Sequence, residues 1–361
     1  MESTIDCAKF KNNEGYCCYR NSIMSILQSL PIFSEFVTDK DEFIRFYQEC
    51  KTKGIDINKT VTYQIFKLFN LSLDNPDANL NPRSFAEVMI SKNPMWGDVA
   101  QQDSSEYFLS VLDKLKEEKG KSYKFIGGNK ILCENKYSPL QNFSKLCFLQ
   151  KHEEFCSEKY KFLTNMYSPY TRMFNFMVKN TKGCPNCKFS NSVFESSSIL
   201  KLSLPDDNKE EQLEKLIDTY VSEEEVDDNN MVKCRSCLMK TKAKVSNIFC
   251  NLPKILVIHL KRFNINNYGF LGRKKSNRII YPLDLDLTSY VNDTNEYKYQ
   301  LVAVNVHLGP SMNHGHYISI VKLSTDNGWY VFNDSKNVQP VTDINNVVNN
   351  NASMLFYLRK N

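Results

Sequence analysis

Between residues 18 and 30 the apolar positions Ile23, Ile26, Leu27 and Leu30 fall on one face of a helix, and Pro31 follows where a helix should stop. Helical patterning continues over residues 41–115, where Phe108, Val111, Leu112 and Leu115 make a second apolar stripe. Residues 116–165 break the pattern: they are polar, Lys-rich and irregular, and read as an insertion. From about residue 170 short β-like runs take over, at 198–204, 255–260, 299–306, 317–321 and 329–332. An acidic segment between the first two runs contains a helix-like stretch at 212–221. A helical N-terminal lobe followed by a β-rich part is therefore expected. No solenoid repeat and no Gly/Ser- or Pro-rich linker divides the two.

Composition narrows the class. A length of 361 residues, with 42% hydrophobic and 24% charged, fits a soluble protein with a real core, as one large domain with sub-lobes or as two domains. Net charge is only +5, from 46 basic against 41 acidic residues, with no basic block or basic helix face, so no nucleic-acid partner is expected. No apolar run approaches the length of a bilayer span, and residues 1–6 hold no apolar leader. No membrane partner is expected, and the location is expected to be intracellular, cytoplasmic or nuclear. In a reducing compartment the twelve cysteines would be core residues, metal ligands or a nucleophile.

Three short segments carry candidate chemistry. Cys17 and Cys18 stand at the start of the first helix, where free backbone N–H groups and the helix dipole favour a thiolate. Taken alone, such a pair is more often small buried core. Far along the chain, His316 opens a strand, and Asn333-Asp334 end a neighbouring one. Cysteine as nucleophile, histidine as base and asparagine as orienter are the parts of a cysteine-hydrolase site. His259 sits mid-strand and reads as a satisfied core histidine, and His152 lies in the irregular insertion. Two Cys-x-x-Cys knuckles, Cys184/Cys187 and Cys234/Cys237, offer four thiolates that suit tetrahedral Zn²⁺, unless they are two unrelated pairs.

The run Cys18-Tyr19-Arg20-Asn21-Ser22 with Leu27-Gln28-Ser29-Leu30 resembles the Cys box of the ubiquitin-specific proteases, papain-like cysteine peptidases. The stretch from Ala303 through Gly315-His316-Tyr317 resembles their His box, and Trp329-Tyr330-Val331-Phe332-Asn333-Asp334 their closing motif. The resemblance covers about residues 10–341. It implies an α+β fold of fingers, palm and thumb in a single catalytic domain over 1–361. The helical thumb would span about 1–130, the zinc-bearing β fingers about 180–250, and the antiparallel β palm about 165–180 and 250–361. It makes Cys18 the nucleophile, with Cys17 where threonine is usual. His316 becomes the base and Asn333 the third triad member, with His307 and His314 in loop or supporting roles.

It also implies an oxyanion-stabilising role for Asn13, five residues before Cys18, which otherwise reads as a loop residue. Asp334 would help the oxyanion site or the histidine, or be a plain turn residue. Gln101-Gln102-Asp103-Ser104-Ser105-Glu106 resembles the family's acidic box, so Asp103 and Glu106 would bind the basic tail of ubiquitin; the same pair also reads as a helix capping box. The implied reaction is hydrolysis after ubiquitin's C-terminal glycine, by a monomer with structural zinc, Cys18 and His316 pairing as thiolate and imidazolium near neutral pH. Alternatives are a protease for another ubiquitin-like modifier, a non-catalytic ubiquitin-binding scaffold and a zinc-ribbon nucleic-acid binder; the intact Cys18, His316 and Asn333 speak against the scaffold.

Overall fold

The computed structural model describes residues 7–120, 168–206, 209–227, 230–263, 274–311 and 314–360, and the backbone of 123–126 and 130–133. The expected insertion at 116–165 falls largely outside these residues, as does His152. Its first residues, 116–119, belong to a helix, and Tyr123–Ile126 pairs with Lys130–Cys133 as a hairpin.

Among the described residues, six α-helices precede residue 120: α1 (Cys18–Ser29), α2 (Pro31–Thr38), α3 (Lys40–Lys53), α4 (Val61–Asp74), α5 (Arg83–Lys92) and α6 (Ser104–Lys119). Local chemistry sets their ends. Asp39 accepts the Asp41 and Glu42 N–H groups at the start of α3, and Gly54 at φ 66° closes it in the left-handed region. Glu118 near the end of α6 reaches across to accept the first N–H groups of α4, Val61 at 2.8 Å and Thr62 at 2.7 Å. α7 (Pro169–Phe174) and α8 (Leu213–Val221) follow.

The β part holds two larger sheets. In the first, β1 (Phe176–Gly183) lies between β2 (Ser190–Ser197) and β4 (Lys244–Asn251), all antiparallel. The second contains β3 (Leu200–Ser203), β5 (Ile255–Lys261), β6 (Asp284–Asp286), β7 (Lys298–Ser311), β8 (His314–Lys322), β9 (Trp329–Phe332), β10 (Gln339–Pro340) and β11 (Ala352–Arg359). Its order is β10-β9-β8-β7-β11-β5-β3, with β6 on β7. The expected antiparallel sheet has one parallel pair, β5 with β3, Ile258 opposite Leu200. Between these two strands the chain runs out through α8 and β4, and such a crossover allows parallel pairing where a tight hairpin would not.

Two apolar cores flank the second sheet. One joins α1, α6 and α7 to its front, where the Phe108 ring meets Phe174 and Phe356 edge-on. The other fills its back beneath α8 and the base of the first sheet. A polar bolt fixes the first core: buried Asn305 on β7 accepts from Ser104 Oγ at 2.8 Å and donates to Ser22 Oγ at 2.9 Å, tying α6 and α1 to the sheet. Leaving either serine unpaired in that core would cost about 1–3 kcal/mol.

Candidate active site

The one-faced helix expected at 18–30 is instead buried all round, from Cys18 to Ser29. Several of its polar side chains bond within the protein. Ser22 Oγ donates to Tyr19 O and Ser29 Oγ to Ile26 O, while the Gln28 amide reaches Ser72. Asn21 Nδ2 lies 2.8 Å from Asp334 Oδ1. A central buried helix places its N-terminus, with Cys17 and Cys18, under the mouth of the sheet.

The two thiols differ. Cys17 donates its S–H to Glu14 Oε2 at 2.6 Å, and Glu14 also faces Arg20 at 3.6 Å. Burial pushes Cys17 up to about 12; Arg20 opposes this, and the bond to Glu14 adds to it. Cys17 is thus a hydrogen-bond donor, the role a threonine hydroxyl could fill. Burial also pushes Cys18 above its ordinary value. The Tyr317 and Tyr19 backbone N–H groups pull it down, and the Asp334 charge pushes it up. The thiolate expected at this helix N-terminus is thus opposed by the burial of the Cys18 sulfur.

His316 lies on β8 opposite Leu308 of β7. Its Nε2 is 2.7 Å from Asn333 Oδ1, directly after β9, and 3.9 Å from Asp334 Oδ2. Because Asn Oδ1 only accepts, Nε2 is the donor of this bond. Asp334 holds a left-handed backbone at φ 50°, unusual for a non-glycine residue. Its carboxylate gathers Asn21 Nδ2 and, at 3.0 Å, Asn12 Nδ2, while Asn12 Oδ1 accepts the Cys17 N–H at 3.1 Å. This chain of bonds joins the loop before α1, α1 itself and the turn after β9.

Asn12, not Asn13, occupies that network; Asn13 is exposed. Sequence reasoning passed over Asn12 and Asn21, although both adjoin residues it singled out. Asp103 caps α6, accepting from Ser105 N at 2.7 Å and Glu106 N at 3.1 Å, and Glu106 is exposed. His307 is fully buried, its ring between Phe263 and Tyr317, and burial pulls it down to about 4, keeping it neutral. His259 was expected to be a satisfied core residue, yet its buried Nδ1 has no hydrogen-bond partner among the described residues, and burial pulls its pKa to about 4.

The knuckle cysteines Cys184, Cys187, Cys234 and Cys237 do converge, with all four sulfurs within 4.8 Å of one another. Cys184 Sγ is 3.8 Å from Cys237 Sγ, and Cys187 Sγ is 3.6 Å from Cys234 Sγ. Tetrahedral Zn²⁺ with Zn–S bonds of about 2.3 Å needs sulfurs about 3.8 Å apart, so the donor set fits that ion. The knuckles share one backbone design. Lys188 and Leu238, each following the second cysteine, are left-handed at φ 58° and 60°, and Cys184 N and Cys234 N donate to Phe189 O and Met239 O.

Comparison with known proteins is consistent across three scales. The sequence profile of the ubiquitin carboxyl-terminal hydrolase family matches residues 11–357. A probable ubiquitin carboxyl-terminal hydrolase of Acanthamoeba polyphaga mimivirus is 30% identical over 343 residues, covering 85% of this chain and 71% of the relative. Ubiquitin carboxyl-terminal hydrolase Usp2 of Drosophila melanogaster is 26% identical over 373 residues, covering 99% of this chain but 36% of the relative. Among solved structures, the SAGA Ubp8/Sgf11/Sus1/Sgf73 DUB module bound to ubiquitin aldehyde matches in fold, with a TM-score of 0.69 at 18% identity over 100% of this chain and 71% of that one.

Proposed function

The chain belongs to the ubiquitin carboxyl-terminal hydrolase family, whose members are cysteine peptidases, and from that premise we propose a thiol-dependent deubiquitinase acting through Cys18, His316 and Asn333. The observation that carries this reading is the 2.7 Å bond from His316 Nε2 to Asn333 Oδ1. It turns the bare Nδ1 into the ring's free basic position on a strand that abuts the start of α1.

In the proposed reaction, substrate binding brings His316 Nδ1 to the Cys18 thiol and takes its proton. The thiolate adds to the carbonyl of ubiquitin's terminal glycine, and the oxygen gains negative charge. Amide N–H groups of the 12–17 loop, with Asn13 or Asn12, are the candidate donors to that oxygen. His316 then returns the proton to the leaving lysine amine. Water, deprotonated by the same nitrogen, cleaves the thioester and frees Cys18. Asp334 serves as the strut that holds Asn12 and Asn21 in place. Asp103, while capping α6, presents one face of its carboxylate to the basic tail of the substrate, with Glu106 beside it.

We also propose that the four knuckle thiolates hold structural Zn²⁺, which would pin the ends of the two finger hairpins together when bound. The structural relative is described in a module with three other proteins, so the expected monomer is a proposal that light scattering tests. Cleavage of diubiquitin by the purified chain tests the activity. Turnover with wild type, and none with Cys18→Ala, supports it; equal cleavage by both, or turnover only of another ubiquitin-like modifier, rejects it.

A further inference from the structure

We infer that Gln101 is a positioning residue that sets His316 by clamping the neighbouring peptide; the inference rests on the deubiquitinase reading of this site. Gln101 lies in the segment just before α6, and Gly315 is the residue before His316 on β8. The Gln101 side chain bonds both polar groups of Gly315: Oε1 accepts the Gly315 N–H at 2.9 Å, and Nε2 donates to the Gly315 carbonyl. A primary amide donates and accepts in this paired way without carrying charge at any pH near neutrality. The second bond falls on the carbonyl joined directly to the His316 nitrogen, so rotating that peptide would turn the His316 Cα–Cβ bond.

The space a side chain would need at Gly315 is closed as well. A Cβ built there would lie 2.2 Å from His307 Nε2 and 2.7 Å from Leu308 O. The Gly315 backbone is thus held between the His307 ring and the Gln101 amide. The clamp also crosses from the helical lobe, which carries Cys18 on α1, to the sheet that carries His316. It therefore helps fix the relative position of nucleophile and base, while its own hydrogen bonds go to Gly315. A misplacement of about 1 Å can cost on the order of a hundred-fold in rate.

The experiment compares wild type, Gln101→Glu and Gln101→Asn in the full chain, using a ubiquitin–fluorophore substrate. Glutamate keeps the acceptor for the Gly315 N–H but sets a second carboxylate oxygen against the Gly315 carbonyl. The clamp predicts kcat lower by about 10- to 100-fold at about pH 8 with KM within about two-fold. It also predicts partial recovery relative to wild type as pH falls toward the carboxyl range, where a protonated glutamate can donate again. Gln101→Asn, one methylene short, should lose kcat with no such recovery, and it stands in if the glutamate variant does not fold. Raised KM with unchanged kcat would make Gln101 a substrate contact and overturn the inference, as would wild-type kinetics in both variants. Iodoacetamide labelling of Cys18 needs no ubiquitin: a pH dependence that differs between wild type and Gln101→Glu supports the clamp, and an identical one counts against it. If the wild type itself fails to turn over ubiquitin, the deubiquitinase reading fails, while the labelling still decides the clamp.

Discussion

The Cys17–Cys18 pair and the four knuckle cysteines put the same side chain into opposite surroundings. At the start of α1, burial dominates and pushes both thiols up, Cys17 to about 12. At the finger knuckles, tight turns aim backbone N–H groups at sulfur. The Cys187 N–H pulls Cys184 down to about 6, and Cys187 is lowered in the same way by the Phe189 amide. Cys237 goes up to about 11: the Met239 amide lowers it, but desolvation and the neighbouring thiols outweigh that. Backbone N–H groups thus favour thiolate at Cys184 and Cys187, and with Cys234 and Cys237 beside them the four sulfurs suit a cation. The α1 thiols want none. At the α1 start burial outweighs the backbone N–H groups at Cys18, and Cys17 bonds the Glu14 carboxylate. What each sulfur favours therefore follows from burial together with the groups around it.

Removing the base on the α1 side should have the largest effect. His316→Ala should lower kcat about 10³-fold or more while the unfolding temperature stays within a few degrees. If turnover on a ubiquitin–fluorophore substrate survives, the base lies elsewhere. Asn333→Ala comes next, with a loss of about 100-fold in kcat and little change in KM, since it frees the ring without removing it. A large KM change instead would recast Asn333 as a binding residue.

On the knuckle side, Cys187→Ser or prolonged chelation should lower the unfolding temperature by roughly 5–10 °C and release one bound zinc per chain. Activity should fall only as the fingers loosen. Metal analysis that finds no zinc in the native protein would break the contrast between the two groups. The smallest effect belongs to Cys17→Thr, which keeps a donor for Glu14; turnover should stay within about three-fold. A thiol whose pKa is raised on folding contributes stability fully below its unfolded value near 9. That contribution is lost as pH rises towards about 12. Native protein should therefore lose more stability than Cys17→Thr over that window, as read from urea midpoints.

Much of this was legible in the sequence because local chemistry wrote it there. The α1 start, the Gly315-His316 strand, the knuckle spacing and the acidic cap of α6 each depend on neighbouring residues. What escaped depends on distant partners. α1 looked one-faced because its polar residues were scored as solvent-facing, yet Asn21 and Gln28 bond to Asp334 and Ser72 from other elements. Asn12 and Asn13 are indistinguishable by type; only the turn that brings Asp334 near selects Asn12. The burial of Cys18 was also hidden, because a helix N-terminus alone argues for a thiolate and only the packed structure adds the desolvation that opposes it. The parallel β5–β3 pair required knowing that the chain between Ser203 and Ile255 is one long crossover.

The central claim is that Cys18, and not its neighbour Cys17, attacks the ubiquitin C-terminus. A ubiquitin probe bearing a C-terminal electrophile, applied to wild type, Cys17→Ala and Cys18→Ala, tests it most directly. The account predicts an intact-mass shift of one probe per chain for wild type and Cys17→Ala and none for Cys18→Ala. Labelling that disappears in Cys17→Ala and persists in Cys18→Ala would contradict it.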